Sequence, residues 1–285
     1  MTSSRPPAGA SSAASGPVAA GRRAVKRLGR RLFNRLNRLL LRCSSRPYLP
    51  REGLTVIIAP HQDDETLGCG GLIAHKRYEG WPVHVVFLTD GGSSHPNHPR
   101  LTVPEIVARR RWEASAALLE LGVESCAVHF LDEPDGSLDR MDAARARAVT
   151  GHLAELFTEL QPAEVFLPCC PDGSSEHNAA FALVTAAIHQ ARQQPVVWQY
   201  PIWCWWNPSL LLRHIVTARG RARLPNADFT LGKRTAVACY DSQINATPPW
   251  TAPVLPPDLL ASLLADTEYF FEHPLPPPHG PAAEI

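Results

Sequence analysis

One short segment concentrates residue types that bind metals and move protons. Residues 60–71 read PHQDDETLGCGG, with one histidine and three acids in the first six positions. His61 and Asp64 are three residues apart on a turn that enters a predicted helix, so both can point toward one cation. Asp63, between them, can then act as a base toward metal-bound water. A cation would also offset the repulsion among such closely spaced acids.

Helix capping is the alternative interpretation of these acids. Asp63 or Asp64 could cap the predicted helix, and Glu65 would suit the positive end of its dipole. Capping requires one acid, whereas this loop supplies three and a histidine. The glycines that follow do not have the GxGxxG spacing of a dinucleotide site, and the acidic loop would repel a pyrophosphate. We therefore expect the glycines to serve close packing of helix against sheet.

The elements that must position this loop alternate along the chain. Periodicity predicts strands at 54–59, 83–90, 127–131, 164–168 and 195–199, and helices at 65–78, 103–121, 141–160, 177–191 and 258–271. Alternating strands and helices predict an α/β fold with a mainly parallel sheet and helices on both faces. Sites in such sheets lie beyond the carboxyl ends of the strands. The loops 60–71, 91–98 (GGSSHPNH) and 171–178 (PDGSSEHN) all leave predicted strands at that end.

Composition predicts one large domain over residues 50–275 and shows that this domain is acidic. The chain has 285 residues, 45% of them hydrophobic, and its net charge of +1 hides a strong asymmetry. Residues 1–51 hold twelve Lys/Arg and no Asp/Glu, which leaves a net charge of about −11 on the remainder. An acidic domain argues against nucleic-acid binding. The sequence does not indicate an oligomeric state.

The cysteines indicate a reducing compartment. There are seven of them, an odd number without a CxxC pair, so we expect a cytoplasmic protein with free thiols. Cys169 and Cys170 follow a predicted strand, and we interpret them as buried small residues without a chemical role.

An N-terminal extension, residues 1–45, and a C-terminal tail flank the predicted domain. Residues 1–21 are rich in Ala, Ser, Pro and Gly and are predicted to be disordered, and residues 276–285 form a Pro-rich tail. Residues 22–42 place leucines at helical spacing among many arginines, which predicts a basic amphipathic helix too short and too charged to span a bilayer. Its arginines, opposite the leucines, could contact anionic lipids at the inner face of a membrane. The alternatives are a solvated or a partner-bound helix. We expect the helix to be dispensable for chemistry.

The acidic loop resembles a known signature. PHQDDETLGCGG is similar to the (P/A)H-x-D-D-E-x-x-G-x-G-G motif of the PIG-L/LmbE-like family of zinc-dependent N-deacetylases. Further motifs follow in the family's order: LTDGGSSH after the second strand, R-x-x-E at Arg110 and Glu113 with Leu121 and Gly122, the DG of Asp135 and Gly136, His177, and K-x-x-A-x(3)-Y-x-S-Q ending at Gln243. The resemblance covers about residues 53–245.

The resemblance implies a fold, a cofactor and a reaction. The fold is a Rossmann-like three-layer sandwich, the cofactor is Zn²⁺, and the reaction removes an acetyl group from an N-acetylglucosamine-type amino sugar, which could be free or linked to a lipid or nucleotide. The implied metal ligands are His61, Asp64 and His177, with Asp63 as general base. The side chains expected to contact the substrate or the oxyanion are His95, Arg110 and Asp135.

Two departures from the family pattern leave alternatives open. Many members carry H-x-D-H at the third-ligand position, where this chain has SSEH, so Ser174 replaces a histidine that the resemblance assigns to stabilising the tetrahedral intermediate. That stabilisation must then come from zinc, His95 or another donor. The sequence HPNH, which contains His95 and His98, offers a rival third ligand. We favour His177 because it begins a predicted helix after the fourth strand, where the family resemblance places the ligand.

Other assignments also have alternatives. Arg110 could be a surface residue of the basic stretch 109–111, and the tryptophans within 198–208 could stack on a sugar or pack over the sheet. Because of Ser174, the protein could be a metal-binding but catalytically weakened glycan-binding module. A membrane-tethered scaffold acting through the basic helix is the other alternative.

Overall fold

An eight-stranded sheet forms the centre of the protein in the computed structural model, which describes residues 17–276. The strands are β1 (Arg46–Pro47), β2 (Thr55–Ala59), β3 (Val83–Thr89), β4 (Val128–Glu133), β5 (Glu164–Pro168), β6 (Val196–Tyr200), β7 (Arg221–Pro225) and β8 (Thr267–His273). Their order across the sheet is β1-β7-β8-β6-β5-β2-β3-β4. Strand β8 is antiparallel to β6 and β7, and the other pairs are parallel.

Helices cover both faces of this sheet. They are α1 (Pro17–Ser44), α2 (Asp64–Tyr78), α3 (Val103–Glu120), α4 (Ala143–Leu160), α5 (Ser175–Gln190), α6 (Pro208–Thr217), α7 (Thr230–Ala238), α8 (Asp241–Ile244) and α9 (Pro257–Leu263). Side chains alternate along a strand. Ile57 of β2 therefore joins the core beneath α2 and α3, and Ile58 joins a second core beneath α4 and α5. This architecture confirms the predicted three-layer α/β fold.

The predicted strands are confirmed within a few residues, but the C-terminal prediction is wrong. A helix was expected over 258–271, whereas α9 ends at Leu263 and residues 267–273 form β8. Tyr269, Phe270 and Phe271 are buried between β6 and β7. Aromatic residues favour strands that are buried on both faces. The short strands β1 and β7 were not predicted either.

The N-terminal helix is longer and more closely docked than expected. It begins at Pro17, so residues 17–21, which were predicted to be disordered, are helical, and proline suits a first helical position. The rest of the predicted disordered segment, residues 1–16, and residues 277–285 of the predicted tail lie outside the described residues. Leu41 is fully buried in the domain core. Between residues 17 and 276, no helix is long and apolar enough to cross a bilayer.

Two glycines of the acidic loop allow α2 to approach the sheet closely. A Cβ on Gly68 would lie 2.3 Å from the ring of Tyr200, and one on Gly71 would lie 2.3 Å from the side chain of Asn226. Both distances are shorter than any tolerable contact, so only glycine fits. The packing interpretation of the glycines is confirmed.

Candidate active site

Loops that leave the carboxyl ends of neighbouring strands form a cleft. The turn after β2 leads into α2, the loop after β3 contains residues 90–98, the loop after β4 contains Asp135, and the loop after β5 leads into α5. The cleft is lined by His61, Asp63, Asp64, Ser94, Arg110, Asp135, Ile202, Trp203, Gln243, Val254 and Leu255. The predicted loops therefore do converge on one site.

Three buried side chains within this site have the arrangement of a metal centre. His61 Nδ1 and His177 Nε2 each lie 3.2 Å from Asp64 Oδ2, and the three ligand atoms lie within 4.8 Å of one another. His177 Nε2 is buried and makes no hydrogen bond to any described residue. Two imidazole nitrogens and a carboxylate oxygen this close together form a set that Zn²⁺ binds in catalytic sites, where a fourth coordination position is commonly left for water.

Carboxylates orient both imidazoles from behind. His61 Nε2 lies 2.8 Å from Glu176 Oε2 and 3.4 Å from Asp135 Oδ1, while His177 Nδ1 lies 2.7 Å from Asp172 Oδ2. In metal sites, the remaining ring N–H of a ligand histidine is commonly held in this way, which fixes the ring and its tautomer. The residues present therefore fit a bound divalent cation.

The same carboxylates change the charge state of the histidines when no cation is bound. Burial lowers the pKa of His177, but Asp64 and Asp172 outweigh it and raise this pKa to about 9. Burial likewise opposes protonation of His61, yet its carboxylate neighbours raise its pKa well above the ordinary value. Asp64 has its pKa lowered, since the two imidazolium groups outweigh its burial. The centre thus holds protons that a metal ion must displace.

Asp63 has a strained backbone next to this centre. Its φ is 148°, a region that non-glycine residues rarely adopt and that is frequent at functional sites. Asp63 is the N-cap residue of α2, but its side chain makes no capping hydrogen bond, so the capping interpretation does not hold for this residue. Its carboxylate instead faces Arg110, with Nη2 3.5 Å from Oδ2.

Arg110 is a buried residue of the cleft. Only 2% of it is exposed, which excludes the surface-residue interpretation. Its Nη2 donates a hydrogen bond to the carbonyl oxygen of Gln62, and its Nε and Nη1 make no hydrogen bond within the described part of the chain. Buried donors of this kind require an acceptor, and one that enters the cleft can supply it.

Glu65 supports Asp63 from below. One of its carboxylate oxygens accepts a hydrogen bond from the backbone N–H of Asp63 at 3.1 Å, and the other accepts hydrogen bonds from Thr66 and Tyr240. Burial raises the pKa of Glu65 to about 7. The third acid of the motif thus stabilises the strained turn and does not line the cleft.

His95 and His98, the alternative ligands in the loop after β3, lie apart from the metal centre. His95 stacks on Trp250, with ring centroids 5.2 Å apart and an interplanar angle of 12°, and its Nε2 lies 3.2 Å from Thr247 Oγ1. Burial, together with the charges of Arg110 and His98, lowers the pKa of His95 to about 4. Neither histidine belongs to a group of potential metal ligands found in the described residues.

Ser174 and the tryptophans have mainly structural contacts. Ser174 is the N-cap of α5, and its hydroxyl accepts a hydrogen bond from His177 N–H. Trp198 and Trp205 are buried in the core, which agrees with the packing interpretation, whereas Trp203 lines the cleft.

Sequence reasoning missed Asp172 and the role of Glu176. Asp172 is fully buried, and besides His177 it accepts hydrogen bonds from the backbone N–H groups of residues 202, 203 and 204. Glu176 also accepts hydrogen bonds from Gly136 N–H and Leu138 N–H. The signal was present in PDGSSEHN, which places two acids next to the favoured ligand at a strand end.

The later motifs are connected to this site by a buried contact. Glu113 accepts hydrogen bonds from the backbone N–H of Ser242 at 2.8 Å and from its hydroxyl at 2.7 Å. This contact places Gln243 at the cleft and Tyr240 beneath Glu65. The R-x-x-E and Y-x-S-Q motifs, although far apart in the sequence, therefore form one structural unit.

Comparisons with known proteins agree with this arrangement. Residues 56–188 match the family model described as PIG-L, GlcNAc-PI de-N-acetylase. The 1D-myo-inositol 2-acetamido-2-deoxy-alpha-D-glucopyranoside deacetylase of Mycobacterium sp. (strain KMS) is 32% identical over an alignment of 172 residues, and the match covers 53% of each chain. The chain thus spans about half the length of the curated relatives it matches.

Solved structures share the fold at low identity. The N,N'-diacetylchitobiose deacetylase of Pyrococcus horikoshii has a TM-score of 0.56 and 19% identity, with 81% of each chain covered. GalB, the 4-carboxy-2-hydroxymuconate hydratase of Pseudomonas putida KT2440, has a TM-score of 0.57 and 21% identity, with 75% of this chain and 83% of that chain covered. One fold therefore supports different reactions. The match to the PIG-L family model over residues 56–188 includes His61, Asp64 and His177, the three residues of the buried cluster.

Proposed function

We propose that this protein is a zinc-dependent hydrolase that removes an acetyl or other acyl group from the amide nitrogen of an N-acetylglucosamine-type amino sugar or glycoconjugate. The observation that carries the proposal is the cluster of His61, Asp64 and His177 with Asp63 beside it. Metal ligands with an adjacent unligated carboxylate are the arrangement that hydrolysis by an activated water requires.

The residues divide the chemistry among themselves. When bound to His61, Asp64 and His177, Zn²⁺ would supply an acidified water and polarise the amide carbonyl. Asp63 accepts a proton from the water while the water oxygen attacks the acyl carbon. The protonated Asp63 carboxyl then holds this proton for the departing amine nitrogen. Breaking the carbon–nitrogen bond gives a carboxylate and a free amine. Arg110 has unsatisfied donors for the oxyanion or a substrate hydroxyl.

The amino-sugar substrate class is supported by the mycobacterial relative, whose name specifies a 2-acetamido sugar. Asp135 is the candidate for binding sugar hydroxyls, because it lines the cleft and carboxylates accept such hydrogen bonds. His95 is less well placed to contact substrate, since it stacks on Trp250 outside the lining of the cleft. Trp203 offers an apolar wall for a sugar face.

A glycan-binding protein with weakened catalysis is the second candidate, and Ser174 is the observation that favours it. Where the family pattern has a histidine, this chain has a capping hydroxyl that contacts its own helix. Arg110 provides a cationic donor at the cleft that a merely binding module does not require next to Asp63. We therefore favour the hydrolase.

The location that fits this function is the cytoplasm. We propose peripheral contact with the inner face of a membrane through residues 22–42, and a lipid- or nucleotide-linked glycan is then among the substrates to be tested.

Acetate release tests the proposed reaction. The full chain is stripped of metal, reloaded with Zn²⁺, and assayed on N-acetylglucosamine, on N,N'-diacetylchitobiose, and on N-acetylglucosamine linked to inositol, to a nucleotide or to a lipid. Zinc-dependent release of one acetate per new amine is the expected result. Glycan binding without acetate release under any metal condition would instead establish the binding module.

A further inference from the structure

The N-terminal helix docks on the domain through its polar face. Asn34 Nδ2 donates to the carbonyl oxygen of Trp205 at 2.7 Å, and Asn37 Nδ2 donates to that of Pro208 at 2.8 Å. Arg30 lies over the ring of Trp206 at 3.3 Å. Basic side chains also meet the domain elsewhere: Arg27 and Arg31 pair with Asp258, and Arg38 lies over Trp205.

Four of the six leucines of this helix, together with Val25, consequently point away from the protein. Val25, Leu28, Leu32, Leu36 and Leu39 are between 49% and 72% exposed. At 3.6 residues per turn, these five residues lie within about 80° of one another around the helix, opposite Asn34 and Leu41. Here this set of five is called the apolar stripe. Cys43, which is also exposed, extends it by one turn.

The orientation of the helix is informative because the opposite one would bury more apolar surface. Burying a leucine in a core stabilises the fold, because its apolar surface is removed from water. Docking instead uses directional contacts from Asn34, Asn37 and Arg30, which fix the stripe outward. An exposed apolar stripe held in place by specific contacts marks a surface for another partner.

Charge distinguishes between the partners that could cover the stripe. The segment 17–44 contains nine Lys/Arg and no Asp/Glu, and exposed Arg22, Lys26, Arg35 and Arg42 flank the stripe on its two sides. A second copy would bring an equal set of cations against these, and like charges repel. An anionic lipid surface offers an apolar layer beneath a negatively charged one, which matches leucines between cations.

We propose that the apolar stripe of α1 is a membrane-binding surface, with its leucines inserted among the acyl chains and its flanking cations among anionic headgroups. This inference deepens the proposed peripheral contact and is independent of the amide that is hydrolysed. It reverses the sequence-based expectation that the arginines opposite the leucines contact lipid, because those arginines contact Asp258, Trp205 and Trp206.

Vesicle binding by point variants of the full chain tests the proposal. Wild type, Leu32→Gln/Leu36→Gln and the control Leu119→Gln, an exposed leucine of α3, are sedimented with phosphatidylglycerol-containing and with purely phosphatidylcholine vesicles. We expect the stripe variant to bind anionic vesicles at least tenfold more weakly than wild type, and the control to bind as wild type. Raised salt should weaken wild-type binding, since surface charges are screened.

A fluorescent label provides a readout that leaves the leucines intact. An environment-sensitive dye on Cys43 in a Cys126→Ser chain should shift to shorter wavelength on anionic vesicles, whereas a dye on Cys126 in a Cys43→Ser chain should not. The proposal is overturned if the dye on Cys43 does not respond, if the stripe variant binds vesicles like wild type, or if its only defect is loss of a dimer. Acetate release from a soluble substrate, measured in parallel, reports on the reaction separately.

Discussion

Arg110 Nη2 lies 3.5 Å from Asp63 Oδ2, and both side chains are almost completely buried. The guanidinium of Arg110 thus places a positive charge beside the carboxylate that is proposed as the general base, and both residues line the cleft. The pair joins the first motif of the chain to α3, although 46 residues separate its two members in the sequence.

Removing this cation should impair both stability and turnover. Arg110→Met leaves a buried charge without its partner, which typically costs roughly 3 to 5 kcal/mol of unfolding free energy. Arg110→Lys should recover part of kcat. The matched control is Arg111→Met, whose exposed partner Asp132 should make it nearly neutral in urea unfolding. Equal unfolding free energies for the two Met variants would contradict the importance of the buried pair.

Asp63→Asn should retain metal and lose catalysis. The amide occupies the same volume but cannot accept the proton from water, and loss of a general base typically lowers the rate by ~10² to 10⁴. Metal content and kcat are measured on the same preparation. Loss of zinc from this variant would mean that the roles of Asp63 and Asp64 are exchanged.

Alanine variants of the three histidines considered as the third metal ligand should differ in their metal content. His177→Ala removes one of three protein ligands and should lower zinc occupancy steeply, because the ion would then be held mostly by water. His95→Ala and His98→Ala should retain zinc, since both side chains contact the 247–250 segment. The assignment is wrong if His177→Ala alone keeps its metal.

Zinc affinity should rise with pH up to about 9. In the cation-free protein, the pKa of His177 is raised to about 9 and that of His61 also lies above its ordinary value, so zinc must displace protons at neutral pH. The folding stability of the cation-free protein changes with pH in the opposite direction. The raised folded-state pKa contributes stability below about pH 6.5 that is lost as pH rises through about 9. Calorimetry in two buffers of different ionisation enthalpy measures the released protons, and no release at pH 7 would refute this assignment.

Gly68→Ala should destabilise the fold at the base of the site. Its new methyl group would lie 2.3 Å from the Tyr200 ring, and overpacking of this kind costs roughly 1 to 3 kcal/mol. Gly151→Ala in α4 is the control, because open space surrounds that position and alanine should stabilise the helix by up to about 1 kcal/mol. Thermal unfolding of both variants tests the contrast, which fails if both shift Tm in the same direction.

The sequence predicted the loop 60–71 and the central strands because these depend on local patterns. The spacing of His61 and Asp64 is fixed within one turn, and β2 and β3 are continuous apolar runs. His177 was favoured because its position follows a strand end. The loop and the strands needed only a few neighbouring residues and the rule for sites in parallel sheets, whereas the choice of His177 also relied on the family resemblance.

The features that were not predicted depend on contacts between distant residues. The sequence neighbours of His95 do not indicate that its ring stacks on Trp250. The spacing HPNH resembles a pair of metal ligands whichever way the two histidine rings point. The outward leucines of α1 were unforeseeable for the same reason, since Asn34 and Trp205 are 171 residues apart. Strand β8 was mistaken for a helix because its pairing with β6 and β7 decides its conformation.

The contacts of Asp172 make the wall of the cleft and the metal centre parts of one mechanical unit. Its carboxylate holds His177 on one side and three consecutive backbone amides, including that of Trp203, on the other. A ligand that pushes Trp203 outward must therefore strain the orientation of His177, one of the proposed metal ligands, and a metal bound to His177 would stiffen the wall. Because linkage is reciprocal, a ligand that displaces Trp203 should lower the affinity of the domain for the metal, and the metal should lower its affinity for that ligand by the same factor.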